Sequence, residues 1–222
     1  MADLNKAKAI EKYIFQNYKL TQPIFLTDFY SEFPDINQIT IRSIIRRLIE
    51  NERIIKISNG VFARTKSTSS LSKTEVRMKS VIEQKYLSND EGQVIGYLSG
   101  INLANKLGLT TQTASVDLII SNNVSAKKRE IMLKNNRYIV NSPRIAVNER
   151  NYKLMQVLDI LTDFEKYSEY QLKYAAPKLL NYLKSSKINE TELDDIVSAY
   201  PLVTQVKFYK MGGLNVLAQE QK

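Results

Sequence analysis

Apolar residues recur along this chain with two periods. From Asn37 to Arg64 the sequence reads NQITIRSIIRRLIENERIIKISNGVFAR. Ile41, Ile44, Ile45 and Leu48 fall at the three-and-four spacing that gathers side chains on one helix face. The other face carries Ser43 and Arg46, flanked by Ile39, Arg42 and Arg47, with no acid before Glu50. RIIKIS and VFAR then flank Asn59-Gly60, a pair that tolerates the positive φ of a type I′ turn and so predicts a hairpin. Upstream, AKAIEKYIFQNY predicts a helix with Ala9, Ile10, Tyr13, Ile14 and Tyr18 inward. FLTDFYSEFP predicts a short second helix capped by Thr27 and stopped by Pro34. Helix, short helix, basic helix and hairpin in that order are the pattern of a winged helix-turn-helix, which sets its third helix in the DNA major groove and its wing against the backbone.

The pattern lapses at Thr65 to Lys73, TKSTSSLSK, where Ser and Thr replace apolar residues. The expected organisation is therefore a winged-helix domain over 1–66, a linker over 67–73 and a second domain over 74–222. In that second domain SKTEVRMKSVIEQKYL opens with a possible capping box at Ser72 or Thr74 and continues as a helix. GYLSGINLANKLGL predicts another, with Leu98, Ile101, Leu103, Ala104 and Leu107 inward and Gly108 as its C-terminal cap. ASVDLIISNN, KKREIMLKNNRYIVNSP and RIAVNE read as a small sheet. From about 151 onward, NYKLMQVLDILTDF, SEYQLKYAAPKLLNYLKSS and NETELDDIVSAYPLVTQVKFYKMG are amphipathic helix, with Asn189 a suitable N-cap. The fold class is α+β: a winged helix-turn-helix, then a mixed α/β domain with a small sheet and a helical last third.

Composition narrows the chemistry. The chain of 222 residues has no Cys and no His, which removes thiol and imidazole nucleophiles and the usual zinc ligands. No apolar run approaches the roughly 18 residues of a membrane span, and MADLNKAKAIEK lacks the apolar core of a secretory signal, so a cytoplasmic location is expected. The net charge of +9 is uneven. Lys and Arg stand against Asp and Glu as 11 to 7 over residues 1–70, 12 to 7 over 71–150 and 9 to 9 over 151–222. A positive excess confined to the first two thirds favours a polyanionic partner.

The order of these signals resembles the AbiEi-type antitoxins of bacterial abortive-infection, type IV toxin–antitoxin systems. The similarity rests on the basic third helix with a wing ending in NGVFAR, and on SGINLANKLGLTTQTASVDLIISNN, of which LGLTTQ is the more specific piece. It covers most of the first 140 residues and none of the last third. It implies an N-terminal winged helix that represses its own promoter and a C-terminal domain that counters a nucleotidyltransferase-like toxin. Carried over by position, it points to Arg42, Ser43, Arg46 and Arg47 in the reading helix and to Lys56, Asn59 and Arg64 in the wing. Phe62 stands where the family usually has Tyr.

Two further groups are candidates for antitoxicity. Thr110, Thr111 and Gln112 present donors just after a helix end, as a functional loop or as a stop that satisfies freed carbonyls. Lys127, Lys128 and Arg129 form the tightest basic cluster, in a polar turn between strands, suited to phosphates or an acidic partner. Acids near Asp194 and Asp195 are better read as a first helical turn than as a metal site. The tyrosines of the last third, Tyr152, Tyr167, Tyr170, Tyr174 and Tyr182, read as core or protein-interface packing. No catalytic residue and no cofactor is expected, since Asp117 lacks the clustered acids and lysine of a metal-dependent nuclease. The expected partners are double-stranded operator DNA, bound by two copies on an inverted repeat, and the toxin; a regulator with no toxin partner is the alternative.

Overall fold

The computed structural model describes residues 2–20, 22–64, 78–89, 91–124, 126–133, 136–184, 186 and 188–219. The chain is α+β, with two small sheets and about half its residues helical, and it forms two compact units, an N-terminal one of Met1–Ile82 with Met132–Asn135 and a C-terminal one of Glu83–Ile131 with Asn136–Lys222. The expected linker and the capping box at Ser72 or Thr74 lie outside the described residues. Among the described residues no helix is long and apolar enough to cross a membrane.

The N-terminal unit runs α1 (Ala2–Asn17), β1 (Pro23–Phe25), α2 (Leu26–Glu32), α3 (Gln38–Glu50), β2 (Ile55–Ser58) and β3 (Val61–Ala63). Ile10 and Ile14 of α1, Phe29 of α2 and Ile41, Ile44, Ile45 and Leu48 of α3 form one buried cluster with Ile24, Ile54 and Phe62. On α1 the small inward residue is Ala7, which packs on this cluster, whereas Ala9 is exposed. Thr27 does not cap α2. The helix starts two residues earlier than that cap requires, after Phe25, and Asp28 reaches back to accept from the Phe25 N–H at 3.0 Å. Tyr18 holds that carboxylate by donating to it at 2.6 Å, and burial together with this bond pushes its phenol well above the ordinary range.

β2 and β3 form the expected hairpin, but its turn is not type I′. Only Gly60 has positive φ, at +71°, and the register shifts between Lys56 and Ser58. β1, three residues with no alternation to announce them, adds antiparallel to β3 and gives the order β1-β3-β2.

The C-terminal unit begins beyond α4 (Met78–Ile82) and carries a four-stranded mixed sheet, order β4-β5-β7-β6. Its strands are β4 (Gly96–Ser99), β5 (Val116–Ser121), β6 (Lys128–Leu133) and β7 (Asn136–Asn141), with β4 antiparallel and β7 parallel to β5. The stretch GYLSGINLANKLGL is thus half strand: the helix α5 is Gly100–Lys106, and Leu98 lies in β4, 38% exposed. Gly108 does end this segment, at φ +68°. RIAVNE forms no strand; it leads into α6 through a turn in which Asn148 and Asn151 each accept from the other's backbone N–H.

α6 (Tyr152–Thr162) is the centre of the unit, with Leu154, Met155, Val157, Leu158, Ile160 and Leu161 fully buried. Around it lie α7 (Phe164–Tyr167), α8 (Leu172–Leu183), α9 (Glu190–Ser198), α10 (Leu202–Lys210) and α11 (Gly213–Gln219). Asn189 caps α9 as expected, accepting from the Glu192 N–H at 2.8 Å. Gln156, buried on α6, donates to the Leu98 carbonyl at 2.8 Å and accepts from the Tyr182 hydroxyl at 2.6 Å, so its amide is satisfied where an unpaired one would be destabilising. Of the tyrosines expected to pack, Tyr167 is buried, but Tyr170 and Tyr174 are 44% and 61% exposed. Lys178 lies over the Tyr170 ring and Lys173 over that of Tyr174.

Candidate nucleic-acid interface

The outward face of α3 is set by what its inward face must do. Burying Ile41, Ile44, Ile45 and Leu48 obliges the intervening positions to face solvent. The helix begins on Asn37, whose side chain accepts from the Ile39 N–H at 2.8 Å, and its first turn has no acid. Ile39, Arg42, Arg46 and Arg47 are exposed, and Thr40 and Ser43 are half-buried beside them. Ile39, Thr40, Ser43 and Arg47 line a shallow depression of about 240 Å³ floored by Ile44. Ile39 is 74% exposed, which costs solvation in the free protein and presents an apolar surface amid cations.

The three arginines are held differently. Arg42 donates from Nε to the Tyr30 hydroxyl at 2.8 Å and lies over that ring, which orients the rest of its fork outward. Arg46 pairs with Glu50 at 3.5 Å, both side chains well exposed; such a pair contributes about 0.3–0.5 kcal/mol and yields readily to a stronger anion. The Arg47 side chain makes no hydrogen bond or ion pair among the described residues. Lys56 on β2 and Asn59 at the turn are likewise exposed.

Arg64 is not with them. Its Nη1 donates to the carbonyls of Phe15 at 3.1 Å and Tyr18 at 2.6 Å, and its guanidinium lies 4.3 Å from the Phe15 ring centre. Arg53 covers the same ring at 4.8 Å while pairing with Glu11 at 2.6 Å. Arg64 therefore serves the carbonyl end of α1, where a cation complements the helix dipole.

The candidates of the C-terminal unit also separate. The hydroxyls of Thr110 and Thr111 and the Thr111 N–H all converge on Glu169 Oε1, at 2.7, 3.0 and 3.0 Å, and hold that carboxyl below its usual range. The Glu169 N–H in turn donates to the Leu109 carbonyl at 2.9 Å, and Lys178 donates to that of Gly108. LGLTTQ is thus a latch between the end of α5 and the segment that joins α7 to α8. Of the three, Gln112 alone has no side-chain hydrogen bond among the described residues. Lys127, Lys128 and Arg129 are all exposed, but Lys128 and Arg129 open β6 rather than sitting in a turn.

Tyr30 and Ile39 are the residues that sequence reasoning left without a role. Ile39 carried a signal, an isoleucine off the apolar stripe; Tyr30 carried none, since its partner is 12 residues away. Compared with protein-family models and with curated proteins, the chain matches none.

Proposed function

We propose that the N-terminal unit is a winged helix-turn-helix that binds operator DNA in the chain's own promoter, and that the chain is a cytoplasmic antitoxin and autorepressor without catalytic activity. The observation that carries the DNA reading is the outward face of α3: three arginines, Ser43 and Ile39, with one weakly held acid at the far end. In this reading α3 enters the major groove. Arg46 and Ser43 meet base edges, Ile39 meets a thymine methyl group, and Arg42 and Arg47 approach phosphates. Lys56 and Asn59 place the β2–β3 hairpin against the backbone, and Arg64 leaves the contact set because its Nη1 is committed to two carbonyls of the α1 end. One such unit covers a short segment, so two copies on an inverted repeat are expected, with half-site centres about 10 base pairs or a multiple apart.

The antitoxin half rests on the resemblance of SGINLANKLGLTTQTASVDLIISNN to the AbiEi type. Within it, the exposed Gln112, Lys127, Lys128 and Arg129 are better placed to meet a toxin or its nucleic-acid substrate than Thr110 and Thr111, whose hydroxyls serve the fold. The experiment is growth during induction of a nucleotidyltransferase-like gene product encoded beside this chain. The full chain, and its variant with Arg42, Arg46 and Arg47 changed to Ala, should both protect, while only the former represses the promoter. No protection by the soluble full chain would remove the antitoxin reading and leave a plain regulator.

A further inference from the structure

One cavity of the C-terminal unit plays no part in the DNA reading. It measures about 600 Å³, within the range of roughly 300–1,000 Å³ usual for small-molecule sites. Its chemistry is graded from rim to floor.

At the floor is Asp159, on α6. Oδ2 accepts from the Tyr97 hydroxyl at 2.9 Å and from the Ser99 hydroxyl at 3.2 Å, and Oδ1 accepts from the Tyr200 hydroxyl at 3.1 Å. These bonds fix the carboxyl while leaving acceptor capacity on Oδ1, since a carboxylate offers about four lone-pair sites. Burial pushes this carboxyl up to about 6, against the opposing pull of its hydroxyl donors and of Arg144, and the three hydroxyls that donate to it present it as an acceptor.

At the rim are Lys127, Lys128 and Arg144, all exposed. Neither lysine makes an ion pair among the described residues. Arg144 lies over the Tyr200 ring at 5.1 Å. The Ser142 N–H donates to the Lys127 carbonyl at 3.1 Å, which ties the lysine segment to the loop that carries Arg144. Between rim and floor the wall mixes apolar Leu118, Ile120 and Pro143 with polar Asn141, Ser142 and Thr162. The one other acid lining the cavity, Asp163, is exposed.

A ligand that matches this gradient has an anion at one end, N–H donors at the other and a flat, weakly polar body between them. An uncharged ligand leaves Lys127 and Lys128, which have no ion-pair partner among the described residues, without a counter-charge. We propose that the cavity binds a mononucleotide whose base carries an exocyclic amine, with the phosphate held by Lys127, Lys128 and Arg144 and the amine donating to Asp159. Carboxylates read the cytosine amine in the same way in base recognition, and lysines hold phosphate as point charges. The inference is independent of the operator reading, since it uses no residue of the N-terminal unit.

The test is isothermal titration calorimetry of the full chain with AMP, CMP, GMP, UMP and inorganic phosphate. Saturable one-to-one binding of at least one amino-bearing nucleotide is expected, with UMP and phosphate each weaker by about tenfold or more. The double variant Lys127→Ala, Lys128→Ala should melt at the wild-type temperature, both side chains being exposed and unpaired, and bind that nucleotide about tenfold less tightly. Asp159→Asn should erase the preference over UMP. No saturable binding of any amino-bearing nucleotide, equal binding of UMP by the wild-type chain, or affinity indifferent to the lysine pair would each overturn the proposal.

Discussion

Replacing Arg64 by Ala distinguishes a wing residue that touches DNA from a residue that holds the fold. Its guanidinium makes two hydrogen bonds to α1 carbonyls, at 3.1 and 2.6 Å, and lies over Phe15. Hydrogen bonds from a charged group contribute about 1.5–3 kcal/mol each, and a half-exposed cation–π contact about 0.5–1 kcal/mol. Against this, Arg64 Nε is buried with no partner, which offsets about 1–3 kcal/mol, and water can reach the freed carbonyls. The net loss is about 2 kcal/mol, where an ordinary surface substitution changes stability by about 0.5 kcal/mol or less. Urea unfolding of the full chain, with hydrogen exchange of the α1 amides reporting the N-terminal unit separately, should show a midpoint lowered by about 1–2 M. DNA affinity measured well below that midpoint should keep its dependence on salt. An unchanged midpoint, with a salt slope reduced by about one, would return Arg64 to the phosphate contacts and refute the reasoning.

Three further outcomes follow from single side chains. Asp159 titrates near 6 in the folded chain against an ordinary 3.8, so the folded state keeps a proton that the unfolded state releases. Its contribution to stability therefore falls as pH rises from about 4 to 6 and is level above, by at most about 3 kcal/mol; Asp159→Asn should flatten that part of the profile, and parallel profiles contradict it. Gln156→Leu should lower stability by about 1–3 kcal/mol, by stranding the Tyr182 hydroxyl and the Leu98 carbonyl; a higher melting temperature would contradict it. Ile39→Ala should reduce discrimination for a thymine by about 1 kcal/mol, an effect that disappears when deoxyuridine replaces that thymine; a loss that persists on deoxyuridine places Ile39 elsewhere.

The legible parts of this chain are those whose signal is local. The three-and-four spacing of Ile41, Ile44, Ile45 and Leu48 fixes both faces of α3, and Asn189 caps α9 because its partner is three residues on. Three-residue β1 has no period to detect, and in β4 the apolar Tyr97 and Leu98 merge into the helical pattern of α5. Asn59 is compatible with a type I′ turn, but the register shift beside it lets Gly60 alone take positive φ. The same division holds at the sites. Arg46 and Arg47 are outward by periodicity alone. Arg64 is claimed by carbonyls 46 and 49 residues away, and Glu169 captures threonines 58 and 59 residues distant. Tyr97, Ser99, Asp159 and Tyr200 converge through tertiary packing that no local pattern records.

DNA binding by the outward face of α3 is the property on which the proposed function turns. Fluorescence anisotropy should therefore be measured with a labelled duplex of the region upstream of the chain's own reading frame, for the wild type and for the Arg42, Arg46, Arg47 triple alanine variant, across a salt series. The wild type should bind that duplex in preference to scrambled DNA, with affinity falling steeply as salt rises, and the folded triple variant should lose both preference and affinity. Equal binding by the two proteins, or wild-type affinity that ignores both sequence and salt, would contradict the claim that the exposed face of α3 reads DNA.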